Sequence, residues 1–409
     1  MIKKTLATFT GAILLTTGLA APVAGVEFTD VSKESPFYDN LESVYYKDIM
    51  TGYNRMDPIN RIPRYAMKPT NQVTRAQAAK MIAIGMGYPN ASQEKTTFSD
   101  MTEFHWAHDY VAILENEEVV SGRDGQFDPN GRLTRAQIAK MIVLGFDLPY
   151  SETNRQTGFE DVAEDDWSAP YVKALVDAGI TTGTSDTTYS PNRTVKRYEL
   201  AAFIDRIYEN EAITDERALV QVRDTVNRMT EIFFENLSKT YPNEPAYPYE
   251  NFQNEMREVI TANYEPTLVD HYNRQCRECD GSFYYDALGM KVNYKVFENT
   301  EDVISIQTVT PGDGLIYGRQ VKITIVKEGG NWKVDEYVFD DIPELNLSVE
   351  EAANIVENRN YRGYAEGYQL YRVEYLRSDE AYHYFNLYST MGKETVKIHF
   401  KEAIIDIAQ

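Results

Sequence analysis

The sequence predicts a multidomain protein: an all-α body of three helix-loop-helix repeats, then one or two α+β domains built on antiparallel sheet. Three observations carry this. A unit of about sixty residues recurs three times between Phe28 and Arg206. Within each copy the apolar residues fall three and four apart, the spacing of a helix face. After Glu211 the composition shifts: tyrosine becomes frequent and apolar residues begin to alternate, as strands require.

Residues 1–25 read as a secretory signal peptide. Met1-Ile-Lys-Lys4 is a basic start, an apolar run follows from Leu6 to Leu19, and small residues offer cleavage after Ala20 or Gly25. No cysteine sits near its end, which argues against a lipid anchor. No later apolar run is long enough to span a bilayer. The net charge of −22 is uneven, −9 over residues 26–210 and −15 over 211–409. Such acidity argues against nucleic acid or an anionic membrane as a general partner. Any bound anion must meet a local basic site.

The repeats are placed at 26–89, 90–150 and 151–212. The clearest copy has Phe98-Ser-Asp100, Trp106, Gly122, Phe127-Asp-Pro129 and Leu133-Thr-Arg-Ala-Gln137. Tyr110, Val111, Leu114 and Val119 mark its first helix, and Ile138, Met141 and Ile142 its second. The third copy has Phe159-Glu-Asp161, Trp167, Gly183, Tyr189-Ser-Pro191 and Val195-Lys-Arg-Tyr-Glu199. The first has Phe28-Thr-Asp30, Gly52, Met67-Lys-Pro69 and Val73-Thr-Arg-Ala-Gln77. Two helices cannot bury their faces alone, so the copies are expected to pack as one body.

The second helix of each copy begins with chemistry. Thr74 with Gln77, and Thr134 with Gln137, fit a capping box, which explains threonine and glutamine without a ligand. It does not explain Arg75, Arg135 and Arg197, since a cation is mildly unfavourable in the first turn. One reading is an anion site, in which helix N-terminus and guanidinium hold a carboxylate or phosphate. The other is a salt bridge to an acidic residue of a neighbouring copy. Trp106 and Trp167 likewise have two readings, a platform for a sugar face or core anchors.

These motifs closely resemble the S-layer homology domain, which anchors proteins to bacterial cell walls. The resemblance covers about residues 26–210. It implies a pseudo-threefold body with the Thr-Arg-Ala-Glu/Gln helices packed centrally. It further implies grooves between copies that bind secondary cell-wall polysaccharide ending in a pyruvylated amino sugar, whose pyruvate is a carboxylate. The implied location is the wall or S-layer of a Gram-positive bacterium. By motif, the implied ligand residues are Arg75, Arg135 and Arg197, with Gln77, Gln137 and Glu199 nearby. Gly52, Gly122 and Gly183 would let backbone approach the sugar, and Trp106 and Trp167 would line the grooves. Copy one departs: it has Phe37-Tyr38 instead of tryptophan, extra residues around Asn60–Tyr65, and Met67 before Pro69. Copy three has Lys196 at the cap, losing about 1 kcal/mol while adding a cation.

In the other half, Leu219, Val222, Val226, Met229, Phe233 and Leu237 space a long amphipathic helix, broken by Tyr241-Pro-Asn-Glu-Pro245. A second helix is expected around Phe252, Met256, Val259 and Ile260. Strands are expected at 292–296, 303–309, 321–325 and 332–339, with a hairpin turn at Glu328-Gly-Gly-Asn331. The 321–339 hairpin, with Trp332-Lys-Val-Asp335, resembles the last hairpin of a nuclear-transport-factor-2-like domain. This places an α+β domain at 213–343. A smaller module at 344–409 follows, with a capping box at Ser348-Val-Glu-Glu351 and strands at 368–375, 382–388 and 396–407. It is either separate or an extension of the preceding sheet.

No catalytic pattern surrounds His105, His108, His271, His383 or His399, and no cofactor is implied. Cys276 and Cys279, the only cysteines, are expected as a local loop disulfide in an exported protein. Zinc with His271 and Asp280, or a redox pair, are the other readings. The expected function is non-covalent wall anchoring that displays a non-catalytic module, whose own partner the sequence does not identify. The rivals are a tethered wall or polysaccharide hydrolase and an S-layer lattice subunit.

Overall fold

The computed structural model describes residues 28–407 apart from 57–62, 89–94, 240–246, 279–291, 293, 311–318, 341–344, 361–369 and 391. The signal-peptide reading and the pairing of Cys276 with Cys279 fall outside the described residues.

Each repeat contributes two helices: α1 (Tyr38–Tyr46) and α2 (Arg75–Gly85), α3 (His108–Asn116) and α4 (Arg135–Gly145), α5 (Ala169–Asp177) and α6 (Arg197–Asn210). The apolar stripes meet in one core that includes Leu41, Ile82, Leu114, Ile142, Leu175 and Ile204. The first helix of each copy packs on the second helix of the copy before it, α3 on α2 and α5 on α4. Since α1 packs on α6 in the same way, the three copies close into a ring with pseudo-threefold symmetry. Copy one also pairs β1 (Tyr53–Met56) antiparallel with β2 (Pro63–Ala66), so this copy is not purely helical.

Helix α7 (Asp215–Ser238) belongs to two bodies. Leu219, Val222, Val226, Met229 and Phe233 enter the core of the next domain, while Val220 joins the core of the repeats. Its polar flank bonds to the end of α1: the Asn227 side-chain amide donates to the Tyr46 carbonyl at 2.7 Å, and Arg223 to that of Lys47. Lys47, itself buried, lies 3.6 Å from Asp224 and 4.0 Å from Asp205.

A 3₁₀ turn at Tyr249–Asn251 and the single-turn α8 (Gln253–Met256) replace the longer helix expected there. Helix α9 (Glu265–Glu278) has no counterpart in the sequence reading. Its buried side is carried by Leu268 and Tyr272 within a polar segment, too few apolar residues to give a clear period. Strands β3 (Lys295–Asn299), β4 (Val303–Thr310), β5 (Arg319–Glu328) and β6 (Asn331–Asp340) then form an antiparallel sheet in chain order. The β5–β6 turn holds Gly329 and Gly330 at φ 61° and 91°, which glycine adopts freely. Ile304, Ile306, Ile323 and Ile325 of this sheet share a core with α7.

The capping box at Ser348 forms: its amide donates to Glu351 at 2.9 Å, and the Glu351 amide to the Ser348 hydroxyl at 3.1 Å. It starts α10 (Val349–Asn360). A second antiparallel sheet follows, β7 (Leu370–Ser378), β8 (Tyr382–Ser389), β9 (Gly392–His399) and β10 (Ile405–Ile407). The single strand expected over 396–407 is two, because a turn with Ala403 at φ 53° reverses the chain. Ile355, Val356, Phe385 and Ile398 line the core beneath this sheet, which Val309 of β4 joins from the first sheet.

Candidate anion-binding grooves

The second helices begin where neighbouring copies meet. In α2 and α4 the capping boxes form as the sequence predicts. The Gln77 amide N–H donates to Thr74 Oγ1 at 3.1 Å, and the Gln77 side chain accepts from the Thr74 amide at 3.1 Å; Gln137 and Thr134 do the same. In α6, Glu199 accepts from the Lys196 amide at 2.9 Å, but lysine has no acceptor to return.

The amides ahead of the third position are spent on the next copy. Arg75 N–H donates to Gly131 O at 2.9 Å and Ala76 N–H to Pro129 O at 3.0 Å. Arg135 and Ala136 donate to Arg193 and Pro191, and Arg197 and Tyr198 to Asn71 and Pro69. The helix N-termini therefore have no free amides to offer an anion, and that half of the anion-site reading fails. What remains is the guanidinium. Each arginine also staples the ring, its Nε donating to the carbonyl before the next copy's x-Pro. Arg75 reaches Phe127, Arg135 reaches Tyr189 at 2.8 Å, and Arg197 reaches Met67 at 2.7 Å. The guanidinium lies over that residue's ring in two cases, at 4.7 Å from Phe127 and 4.5 Å from Tyr189. Because Met67 has no ring, Arg197 lies 5.3 Å from Tyr53 instead.

The acceptor turns are held by the aspartate of the Phe-x-Asp motif, to which its spacing alone assigns no role. The aspartate of each Phe-x-Asp accepts two backbone N–H groups. Asp30 takes Met67 and Lys68, Asp100 takes Phe127 and Asp128, and Asp161 takes Tyr189 and Ser190, all at 2.7–2.8 Å. The middle residues Lys68, Asp128 and Ser190 sit at φ 47°, 58° and 61°, a strained position that this clamp stabilises.

The three arginines then differ. Arg135, buried, forms a salt bridge from Nη1 to Glu199 at 3.1 Å. Glu199 also accepts two bonds from Arg193. Burial alone would raise the Glu199 pKa; the Arg193 and Lys196 hydrogen bonds and the Arg135 charge outweigh it and hold the carboxyl below its ordinary value. Here the salt-bridge reading is the one observed. Arg75 and Arg197 have no ion pair among the described residues, and burial lowers the pKa of both. In the corresponding places stand Gln137 and Gln77, which cap without charge; Gln77 donates instead to the Tyr53 hydroxyl at 3.2 Å.

The aromatic residues also diverge. Trp106 is half-buried against the core with His105 stacked on it at 5.6 Å, whereas Trp167 is 52% exposed. Matching turns place Pro36 at the tryptophan position of copy one. Phe37, next to it, stacks on Tyr198 at 4.7 Å, so the start of α1 lies beside the helix start that carries Arg197. Gly52, Gly122 and Gly183 have φ of 69°, 59° and 91°. A Cβ on Gly122 would lie 2.4 Å from Phe98, and one on Gly183 2.6 Å from Phe159, so packing alone requires these glycines. Lys196 lies 6.0 Å from the Tyr198 ring. Among the described residues no helix is long and apolar enough to cross a membrane.

The family model of the S-layer homology domain matches residues 27–79, 97–139 and 158–201, so the three repeats are S-layer homology domains. The chain is 28% identical over 243 residues to an S-layer protein of Bacillus thuringiensis subsp. finitimus, covering 56% of this chain and 28% of that protein. That share exceeds what residues 1–206 supply, so the similarity continues into α7. A cell wall amidase of Bacillus anthracis, itself uncharacterized, is 34% identical over 161 residues, 38% of this chain and 29% of its own. A cellulosome-anchoring protein of Acetivibrio thermocellus is 32% identical over 154 residues, 36% of this chain and 34% of its own. The chain thus spans about a third or less of the length of these relatives.

Proposed function

We propose that the repeats hold this protein non-covalently to the bacterial cell wall by binding pyruvylated secondary cell-wall polysaccharide, and that residues 213–409 form a non-catalytic module displayed outward. The observation that carries this is the pair of guanidiniums, Arg75 and Arg197, that have no ion pair among the described residues, the second beside the stacked rings of Phe37 and Tyr198. A cation withdrawn from water without a paired carboxylate is costly, and a ligand carboxylate relieves that cost with charge-assisted hydrogen bonds. The aromatic rings suit the apolar face of a pyranose. The names of the S-layer and anchoring relatives agree with a surface role.

The test is co-sedimentation of the full chain with purified walls whose polysaccharide is intact or chemically stripped of pyruvate. Binding to the intact walls and loss on the stripped ones is expected; equal binding to both overturns the carboxylate mechanism. Release of reducing sugar or free amino groups from those walls would overturn the non-catalytic half. A lattice subunit is the second reading, favoured by the similarity to an S-layer protein running on into α7. Ordered two-dimensional assembly of the purified chain with calcium would establish it.

A further inference from the structure

We propose that the three grooves are graded: the one that closes the ring, between the third and first repeats, is the principal carboxylate site, and Glu199 shuts the one between the second and third. The sugar identity rests on the reading above; the grading rests on charge alone.

Beside Arg135 stands an internal counter-ion, since Glu199 accepts from Arg135, Arg193 and the Lys196 amide at once. A carboxylate ligand would have to displace it from its buried pair with Arg135, which the one positive charge left over on Arg193 only partly offsets. Beside Arg75 the middle turn residue is Asp128. Its charge acts on Arg75, so an incoming anion meets repulsion as well as attraction; Asp100 acts there too, as its equivalent Asp30 acts on Arg197.

Beside Arg197 the same turn position is Lys68. Its ammonium lies 3.6 Å from the centre of the Tyr53 ring, and the Arg197 guanidinium lies 5.3 Å from that ring. Two cations thus flank one half-exposed aromatic. Among the described residues the carboxylate acting on Arg197 is Asp30, which accepts from two backbone amides as Asp100 does. Lys196 adds a third cation next to Tyr198. This groove combines a buried guanidinium without an ion pair among the described residues, two further ammonium groups, and Phe37 stacked on Tyr198. Among the described residues no other groove of the ring has this set.

The test uses the full chain and two probes, the methyl glycoside of a pyruvylated N-acetylamino sugar and free pyruvate, titrated by calorimetry and by NMR. Arg197→Gln is expected to weaken both about tenfold or more, Lys68→Ala about threefold, and Arg75→Gln less than Arg197→Gln. Glu199→Gln keeps the cap, as Gln77 and Gln137 do, and is expected to add a pyruvate site. Thermal unfolding of each variant separates a lost site from a lost fold, and Lys68→Ala removes only the contact with the Tyr53 ring. Native-like affinity in both Arg197→Gln and Lys68→Ala overturns the principal site. An unchanged stoichiometry in Glu199→Gln overturns the shut groove. Pyruvate binding that depends on Arg197, without any glycoside binding, supports the grading and sinks the wall-sugar reading instead. Absence of binding by the native chain to either probe overturns both.

Discussion

A single carboxylate decides how much of the ring's chemistry is structural. Asp100 accepts the Phe127 and Asp128 amides at 2.7 Å each and thereby holds Asp128 at positive φ. Asp100→Ala should cost about 2–4 kcal/mol, read as a lowered denaturant midpoint with an unchanged slope; a loss below 0.5 kcal/mol (roughly the noise of a surface change) would mean the clamp is ornamental. Glu199 makes a pH prediction. Its folded pKa is depressed, so its contribution to stability is present above the unfolded value and is lost as pH falls from there through the folded value. Melting temperature should therefore drop below about pH 4.5, and Glu199→Gln should flatten that part of the profile. A parallel profile in the variant would refute the assignment. At this scale the sequence was only half legible. Capping glutamines and the arginine anomaly could be read from spacing. The partner of each arginine could not, because it lies in another copy and depends on ring closure.

Elements were more legible than contacts, and α7 shows why. Its period is plain, yet nothing in a period says that one flank faces the repeats and the other a sheet. That seam buries Lys47, Asp205, Asp224 and Arg223 together. Lys47→Met leaves the buried Asp205 without its cation, while Asp224 keeps Arg228 at 3.3 Å, and should cost about 3 kcal/mol, measured by chemical unfolding. Glu231 lies on the same helix. Burial raises its pKa to about 7, aided by Glu42 and Glu235 and opposed by a hydrogen bond with Tyr46 and by Arg228. For a carboxyl raised in the folded state the folded chain holds the extra proton, so stability falls as pH rises from the unfolded value through 7. Glu231→Gln should raise the melting temperature at pH 8 and leave it nearly unchanged at pH 4. An equal shift at both would show that the effect is packing, not ionisation. The missed α9 and the split of β9 from β10 have similar causes. A tyrosine-borne apolar side gives weak periodicity, and a turn without proline or glycine at Ala403 gives no punctuation.

At the scale of the whole molecule the proposed binding is a local attraction within a global repulsion. The chain carries −22, with −15 of it beyond residue 210, while the proposed ligand is itself an anionic polymer. Outside the grooves, the two should repel at distances beyond van der Waals contact, and salt shortens the reach of that repulsion to about 10 Å at 0.1 M. Inside a groove the Arg197 contact is partly desolvated and is screened much less. The association rate with long wall polysaccharide should therefore rise as ionic strength increases from about 20 to about 300 mM, the reverse of a basic protein meeting a polyanion. The terminal sheet touches the second repeat through Arg372 and Glu103 at 2.7 Å and Tyr388 against Phe104 at 5.8 Å. An exposed pair of this kind is worth at most about 1 kcal/mol, so the acidic half is only lightly tethered there and its charge acts mainly through space. A chain shortened to residues 1–240, keeping α7, should bind the polymer faster at low salt and lose most of the salt acceleration. Stopped-flow or surface-resonance rates decide it: an association rate that falls steadily with salt in the full chain would mean that long-range attraction, not groove chemistry, brings the polymer in.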